Sequence, residues 1–170
     1  EYNYDCLKFS DVGRNSYYEA AVNWGAQNGI VTGYQNGKFG VSDKVTREQL
    51  VTFLHRYVEY KQYDAEYSSD TPDKVSDQYS DYKRVSSFAK DPILWAIEKG
   101  VISGKTNTTI VPQGKAQRCE VAKIMFNIYL EDVFKKADED TPPSVNGTVK
   151  FASTIDPRDD GTQYVIDSFE

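Results

Sequence analysis

The chain has 170 residues, a formal charge of −6 and a pI near 4.9, with 39% hydrophobic and 14% aromatic residues. That balance lacks the basic footprint of a nucleic-acid binder, and no run reaches the ~18 apolar residues of a membrane span. Thirteen tyrosines against two tryptophans and one methionine supply flat rings with polar tips, suited to wet recognition surfaces and equally to half-buried packing.

In chain order, Glu1–Tyr4 is polar and acidic, unlike a signal peptide, so a mature protein or an excised fragment is expected. Cys6 and Cys119 form neither a metal motif nor a disulfide framework; a bridge between them needs an oxidising compartment, and spacing leaves it open. Ser16-Tyr17-Tyr18-Glu19 has the form of a capping box, with Ser16 as N-cap of a helix running to about Asn28 and Gly29 as its left-handed cap. Ile30-Val31 is a short apolar plug, followed by the turn-rich loop Gly33–Phe39. Thr46-Arg47-Glu48-Gln49 is a second capping box, and behind it Leu50, Phe53, Leu54, Tyr57 and Val58 keep the spacing of one buried helical face.

Residues 61–78 are polar and predict a linker. A shift of 71 residues then brings the pattern round again. It aligns Ser16 with Ser87, Trp24 with Trp95, Gly29 with Gly100, Gly33 with Gly104, Asn36 with Asn107, Lys44 with Lys115 and Arg47 with Arg118, without a gap. The chain is therefore expected to be mainly α, built from two helix–loop–helix repeats at 7–60 and 79–131. In the second copy Asp91-Pro92 predicts an N-cap followed by proline in the first helical position. The loop Lys105–Ile110 has lost an aromatic and a glycine, and Gln117 replaces the capping threonine, a poorer choice. Beyond Phe134 the acidic stretch 138–143 ends the helical pattern. The tail of 132–170 holds Thr148–Phe151 and Gln163–Ile166, either two short strands or an extended strap.

The repeat resembles the S-layer homology domain of bacterial cell-surface proteins. Phe9-Ser10-Asp11-Val12, Tyr17-Tyr18 with Ala21-Val22, Gly29–Tyr34, Asn36–Phe39 and Val45-Thr46-Arg47-Glu48 follow the family pattern in order. The second copy keeps Tyr79-Ser80-Asp81, Gly100–Gly104 and Gln117-Arg118-Cys119-Glu120. The resemblance implies a secreted, non-catalytic module that holds its protein on the bacterial cell wall. Its partner would be a secondary cell-wall polysaccharide bearing pyruvate ketals, or another peptidoglycan-linked glycan, and no cofactor is implied. Family modules usually carry three repeats in a pseudo-threefold spindle with sugar sites in the grooves. Only two are legible in this chain, so a third lies elsewhere or the tail covers the open side.

A pyruvylated sugar offers a carboxylate that an arginine fork can grip in two charge-assisted hydrogen bonds. Arg47, behind its cap Thr46, and Arg118 are the candidates, each where a helix N-terminus also favours an anion. Tyr17 and Phe88 stand where the family usually has tryptophan and offer rings to a sugar face. Gly33 and Gly104 would let backbone donors approach, and Tyr34 is expected to be exposed. Against this, either arginine would serve equally well in a surface pair with Glu48 or Glu120. Trp24 and Trp95 are expected in the core and His55 at the rim of its helix.

No triad, glycosidase carboxylate pair, P-loop, dinucleotide fingerprint or zinc spacing appears, and Asp156–Gly161 lacks the ligand pattern of an EF-hand loop. A docking module for another surface protein is the alternative reading. A wall-remodelling enzyme is the third, and it would need a deep cleft with paired carboxylates.

Overall fold

The computed structural model of the chain describes residues 9–130 and residue 133. These hold five α-helices: α1 Glu19–Gln27, α2 Arg47–Tyr60, α3 Thr71–Gln78, α4 Lys90–Glu98 and α5 Arg118–Leu130. Short 3-10 turns at Tyr82–Arg84 and Ser87–Ala89 lead into α4. Among the described residues there is no sheet, only isolated bridges joining Thr46 to Lys115 and Thr106 to Thr109. The mainly α architecture expected from the repeat is the one observed. The chain divides into two units, 1–138 and 139–170, and every described residue belongs to the first. The expected strands or strap, the acidic stretch and the turn at Asp156 lie outside the described residues. So does Cys6, while Cys119 is an exposed thiol.

Local signals place some of the helix ends. Thr46 caps α2 as predicted: its side chain accepts from the Gln49 amide while the Gln49 side chain takes the Thr46 amide. Gly29, at φ +72°, follows the last turn of α1. The box at Ser16 does not form. Helix α1 begins at Glu19 behind Tyr18, which makes no side-chain cap, and the Glu19 carboxylate accepts from the Asn15 amide at 2.5 Å. The tight turn closed by Glu19 N–H to the Ser16 carbonyl, 3.1 Å, uses up the residues that would have been the first helical turn. In the second copy α4 starts at Lys90, one residue before the expected cap Asp91. Pro92 then occupies the third helical position, still within the first turn, where a missing N–H breaks no intrahelical bond.

The stretch expected as a linker contains α3. Two buried residues, Thr71 and Val75, suffice to fix it, because the Thr71 hydroxyl and the Ser68 amide both donate to Glu98 on α4. A single apolar anchor in a polar helix leaves almost no periodic signal.

The larger core runs through both repeats, joining Val51 and Val58 of α2, Val75 of α3, Ile93 and Trp95 of α4, and Ile128 of α5. A smaller cluster of Phe9, Val12, Val22 and Ala26 lies under α1. Helix α2 packs on α4 with a seam turned from the expected one: Arg47, Glu48, Val51, Thr52, His55 and Val58 are buried, while Leu50, Phe53, Leu54 and Tyr57 are only partly so. Apolar spacing could not find this face, since half of it is polar and buried only because it is hydrogen-bonded. His55 is thus a core residue and not a rim one. Its ring meets Trp95 edge-on with centroids 5.2 Å apart, and Nε2 lies 3.3 Å from the Ala65 carbonyl. Trp95 is fully buried as expected, whereas Trp24 is half-buried against Tyr60.

Each repeat pins its loop in the same way. Asp11 accepts from the Phe39 and Gly40 amides at 2.7 and 2.8 Å, and Asp81 accepts from Ile110 and Val111 at 2.8 Å each. Desolvation pushes the Asp11 carboxyl up, yet the amides of Phe39, Gly40 and Val41 outweigh it and hold its pKa below the usual value. Position 40 is a glycine at φ +84°; its counterpart 71 residues on is Val111 at φ +55°, where a β-branched side chain costs about 1–2 kcal/mol. The Phe9 ring lies on Gly33 and the Tyr79 ring on Gly104, so close that a Cβ at either glycine would strike the ring.

Gly33 also has φ +64°, and a Cβ there would stand 2.6 Å from the Lys38 carbonyl. Gly33→Ala is therefore expected to lower stability by about 2–4 kcal/mol, from left-handed strain plus overpacking. Chemical denaturation of the variant against the wild type measures it.

Candidate functional site

The N-terminus of α2 is where the two repeats meet. The Arg47 and Glu48 amides donate to the Gly114 and Pro112 carbonyls at 2.8 and 3.0 Å, so the loop of the second repeat caps the helix of the first. The Arg47 side chain goes the same way. Its Nε donates to the Ile110 carbonyl at 3.0 Å, Nη2 to Ser103 at 3.1 Å, and Nη1 stands 3.2 Å from Glu120 Oε1. Glu48 returns the gesture, accepting from the Ser86 amide and hydroxyl at 3.1 and 2.9 Å. Arg47 does not pair with Glu48 beside it in its own box; the carboxylate it meets is Glu120, 73 positions along the chain.

Among the clefts on the described surface, two of about 270 and 370 Å³ hold expected site residues. The first is walled by Thr32, Gly33, Tyr34, Gln49, Thr52 and Arg56, the second by Ser103, Gly104, Lys105, Glu120, Lys123 and Asn127. Each of these six residues of the first is 71 positions before one of the second, so the clefts share a common framework. Each also borrows one side chain across the repeat boundary: Phe88 lines the first and Arg47 the second.

The expected site residues are thus divided. Gly33, Tyr34 and Phe88 come together in the first cleft, and Arg47 and Gly104 in the second. Tyr34 and Phe88 are exposed, at 43% and 49%. Tyr17, 97% exposed and stacked edge-on against Tyr18, lines neither cleft; nor do Thr46, whose hydroxyl is the α2 cap, and Arg118, which lies exposed at the start of α5. The two glycines already face aromatic rings and loop carbonyls, which accounts for them without a ligand.

Sequence reasoning passed over the other cleft cations: Lys44 and Arg56 in the first, Lys105 and Lys123 in the second. The 71-residue register would not have found them, because Arg56 matches Asn127, Lys105 matches Tyr34 and Lys123 matches Thr52. Lys105 is committed to Glu120 at 2.5 Å, and Lys123 lies over the Phe126 ring at 5.0 Å. The Lys105 hydrogen bond first, then the Gln117 amide and the nearby Arg47 charge, hold the Glu120 carboxyl below its ordinary value against the opposing effect of burial.

The S-layer homology domain model matches residues 8–51 and 78–122 of the chain. An amylopullulanase of Thermoanaerobacterium thermosulfurigenes is 30% identical over 123 residues, 71% of this chain and 6% of that protein. Exoglucanase XynX of Acetivibrio thermocellus is 29% identical over 122 residues, 71% of this chain and 11% of its own length. An endoglucanase of Bacillus sp. (strain KSM-635) is 30% identical over 100 residues, 59% of this chain and 10% of the relative. The chain thus aligns with roughly a tenth or less of each of these three curated relatives.

Removing a buried guanidinium that serves two carbonyls and a carboxylate leaves all three short of a partner. Arg47→Ala is expected to lower stability by about 3 kcal/mol, and Arg118→Ala by less than about 0.5, in urea unfolding. Because the folded Glu120 pKa is depressed, the stability it contributes is complete above its unfolded value near 4.5 and is lost as pH falls through the folded value. The midpoint of urea unfolding should therefore drop below about pH 4.5, and Glu120→Gln should flatten part of that fall.

Proposed function

The chain belongs to the S-layer homology domain family, and on that premise we propose that it is a non-catalytic module that holds a secreted protein on the bacterial cell surface. Its ligand is a secondary cell-wall polysaccharide or another peptidoglycan-linked glycan, bound non-covalently through the carboxylate of a pyruvate ketal.

The observation that carries this reading is the distribution of the shared segment. It recurs in an amylopullulanase, an exoglucanase and an endoglucanase, and aligns with only 6–11% of each. A piece common to enzymes of different stated activity, and so small a part of each, supplies what they have in common and not the reaction that separates them. The clefts fit that role. Both are shallow and carry cations and hydroxyls, and the first adds the aromatic faces of Tyr34, Phe39, Phe53 and Phe88, the chemistry of a sugar bearing one carboxylate. Neither has the depth or the opposed carboxylate pair of a glycosidase. Among the described residues no helix is long and apolar enough to cross a membrane.

Tyr34 and Phe88 offer their rings to the sugar in the first cleft. Arg47 acts at the second mainly by holding its wall in place, since all three of its nitrogens are engaged. One observation favours the alternative of docking to another surface protein: Met125, Phe126 and Tyr129 of α5 are each more than half exposed.

Co-sedimentation with Gram-positive wall sacculi tests the reading. The chain should pellet with intact sacculi and stay in solution when the secondary polysaccharide, or only its pyruvate, has been removed. Pelleting that ignores both treatments would point to a protein partner instead.

A further inference from the structure

The two clefts are equivalent in position but not in the cation they hold free. Arg56 in the third turn of α2 is half-buried, lines the first cleft, and is paired with no carboxylate among the described residues. Its counterpart in the second cleft is Asn127, whose amide donates to the Gly100 and Val101 carbonyls at 3.0 and 3.1 Å. The remaining cations of the second cleft are occupied: Arg47 by carbonyls and Glu120, Lys105 by Glu120, and Lys123 over the Phe126 ring. The first cleft has Lys44 as a second cation and one exposed carboxylate, Asp43, so its local balance stays positive.

We propose that Arg56 grips the ligand's carboxylate, and that the first cleft is the carboxylate-reading site of the chain while the second is not. This rests on the carboxylate-bearing glycan proposed above. A half-buried guanidinium is screened less than an exposed one, and its planar fork is free to meet a carboxylate in two parallel hydrogen bonds. Phe53 and Phe88 line the same cleft and give the apolar face of the sugar a place to lie. Nothing comparable is available at Asn127, which has neither charge nor spare donors.

The test is calorimetric titration of the full chain with a methyl glycoside carrying a pyruvate ketal, and with the same glycoside lacking it. Wild type should bind one equivalent of the ketal glycoside. Arg56→Gln should weaken that binding by about tenfold or more, while Arg56→Lys loses less because charge remains without the fork. Lys123→Gln should bind as wild type does. Circular dichroism of each variant checks that α2 is intact. If wild type discriminates the ketal but Arg56→Gln binds it equally well, or if Lys123→Gln is the damaging change, the assignment of Arg56 is overturned and the function stands. A wild type blind to the ketal overturns both.

Discussion

Arg47 and Glu48, adjacent at the start of α2, both leave their own repeat: the guanidinium donates to the Ile110 and Ser103 carbonyls, and the carboxylate accepts from Ser86. The backbone beneath them follows, with two helix amides capped by the carbonyls of Gly114 and Pro112. Buried charges are tolerated only when their hydrogen bonds are complete, so this contact admits a single register. The position of the second loop, the borrowed walls of both clefts and the course of the larger core all follow from it. Without it each repeat would be a pair of short helices with too little apolar surface to bury alone.

The same contact explains which parts of the molecule were legible in the sequence. The duplication, the Thr46 box, the left-handed Gly29 and the burial of Trp95 rest on local or periodic signals, and all are present. What escaped depended on distant residues. The α2 seam turned because Arg47, Glu48, Thr52 and His55 are buried in place of the bulkier apolar side chains, and a polar residue reveals its burial only when its partner is known. Helix α3 escaped because its hold is Glu98, some 27 residues away from Thr71. Of the cleft-lining arginines, the one conspicuous in the motif spends its donors on Ile110, Ser103 and Glu120, while Arg56 sits in an unremarkable helical turn. The shared part of the clefts was encoded in the 71-residue register, which pairs six walls of one, Thr32 to Arg56, with six of the other, Ser103 to Asn127.

Duplication has left the copies unequal in chemistry. Where the first loop has Gly40 the second has Val111 in a left-handed conformation; where the first helix has Arg56 the second has Asn127; and where α2 has Glu48, α5 has Cys119. The second copy has kept the groups that receive the first and lost those that would reach outward in their turn. It serves as the socket and the first copy as the plug, a division of labour that two identical repeats could not have.

The small cluster of Phe9, Val12, Val22 and Ala26 stands apart from the larger core, and the ring of Phe9 is what backs Gly33 at the edge of the first cleft. Segments resting on few apolar contacts open at lower free energy than the rest of a domain. The shape of the first cleft is therefore tied to the least protected part of the fold. Brief fraying of α1 would withdraw the support of one cleft and leave the other standing, so occupancy of the first and order in the N-terminal segment should rise and fall together.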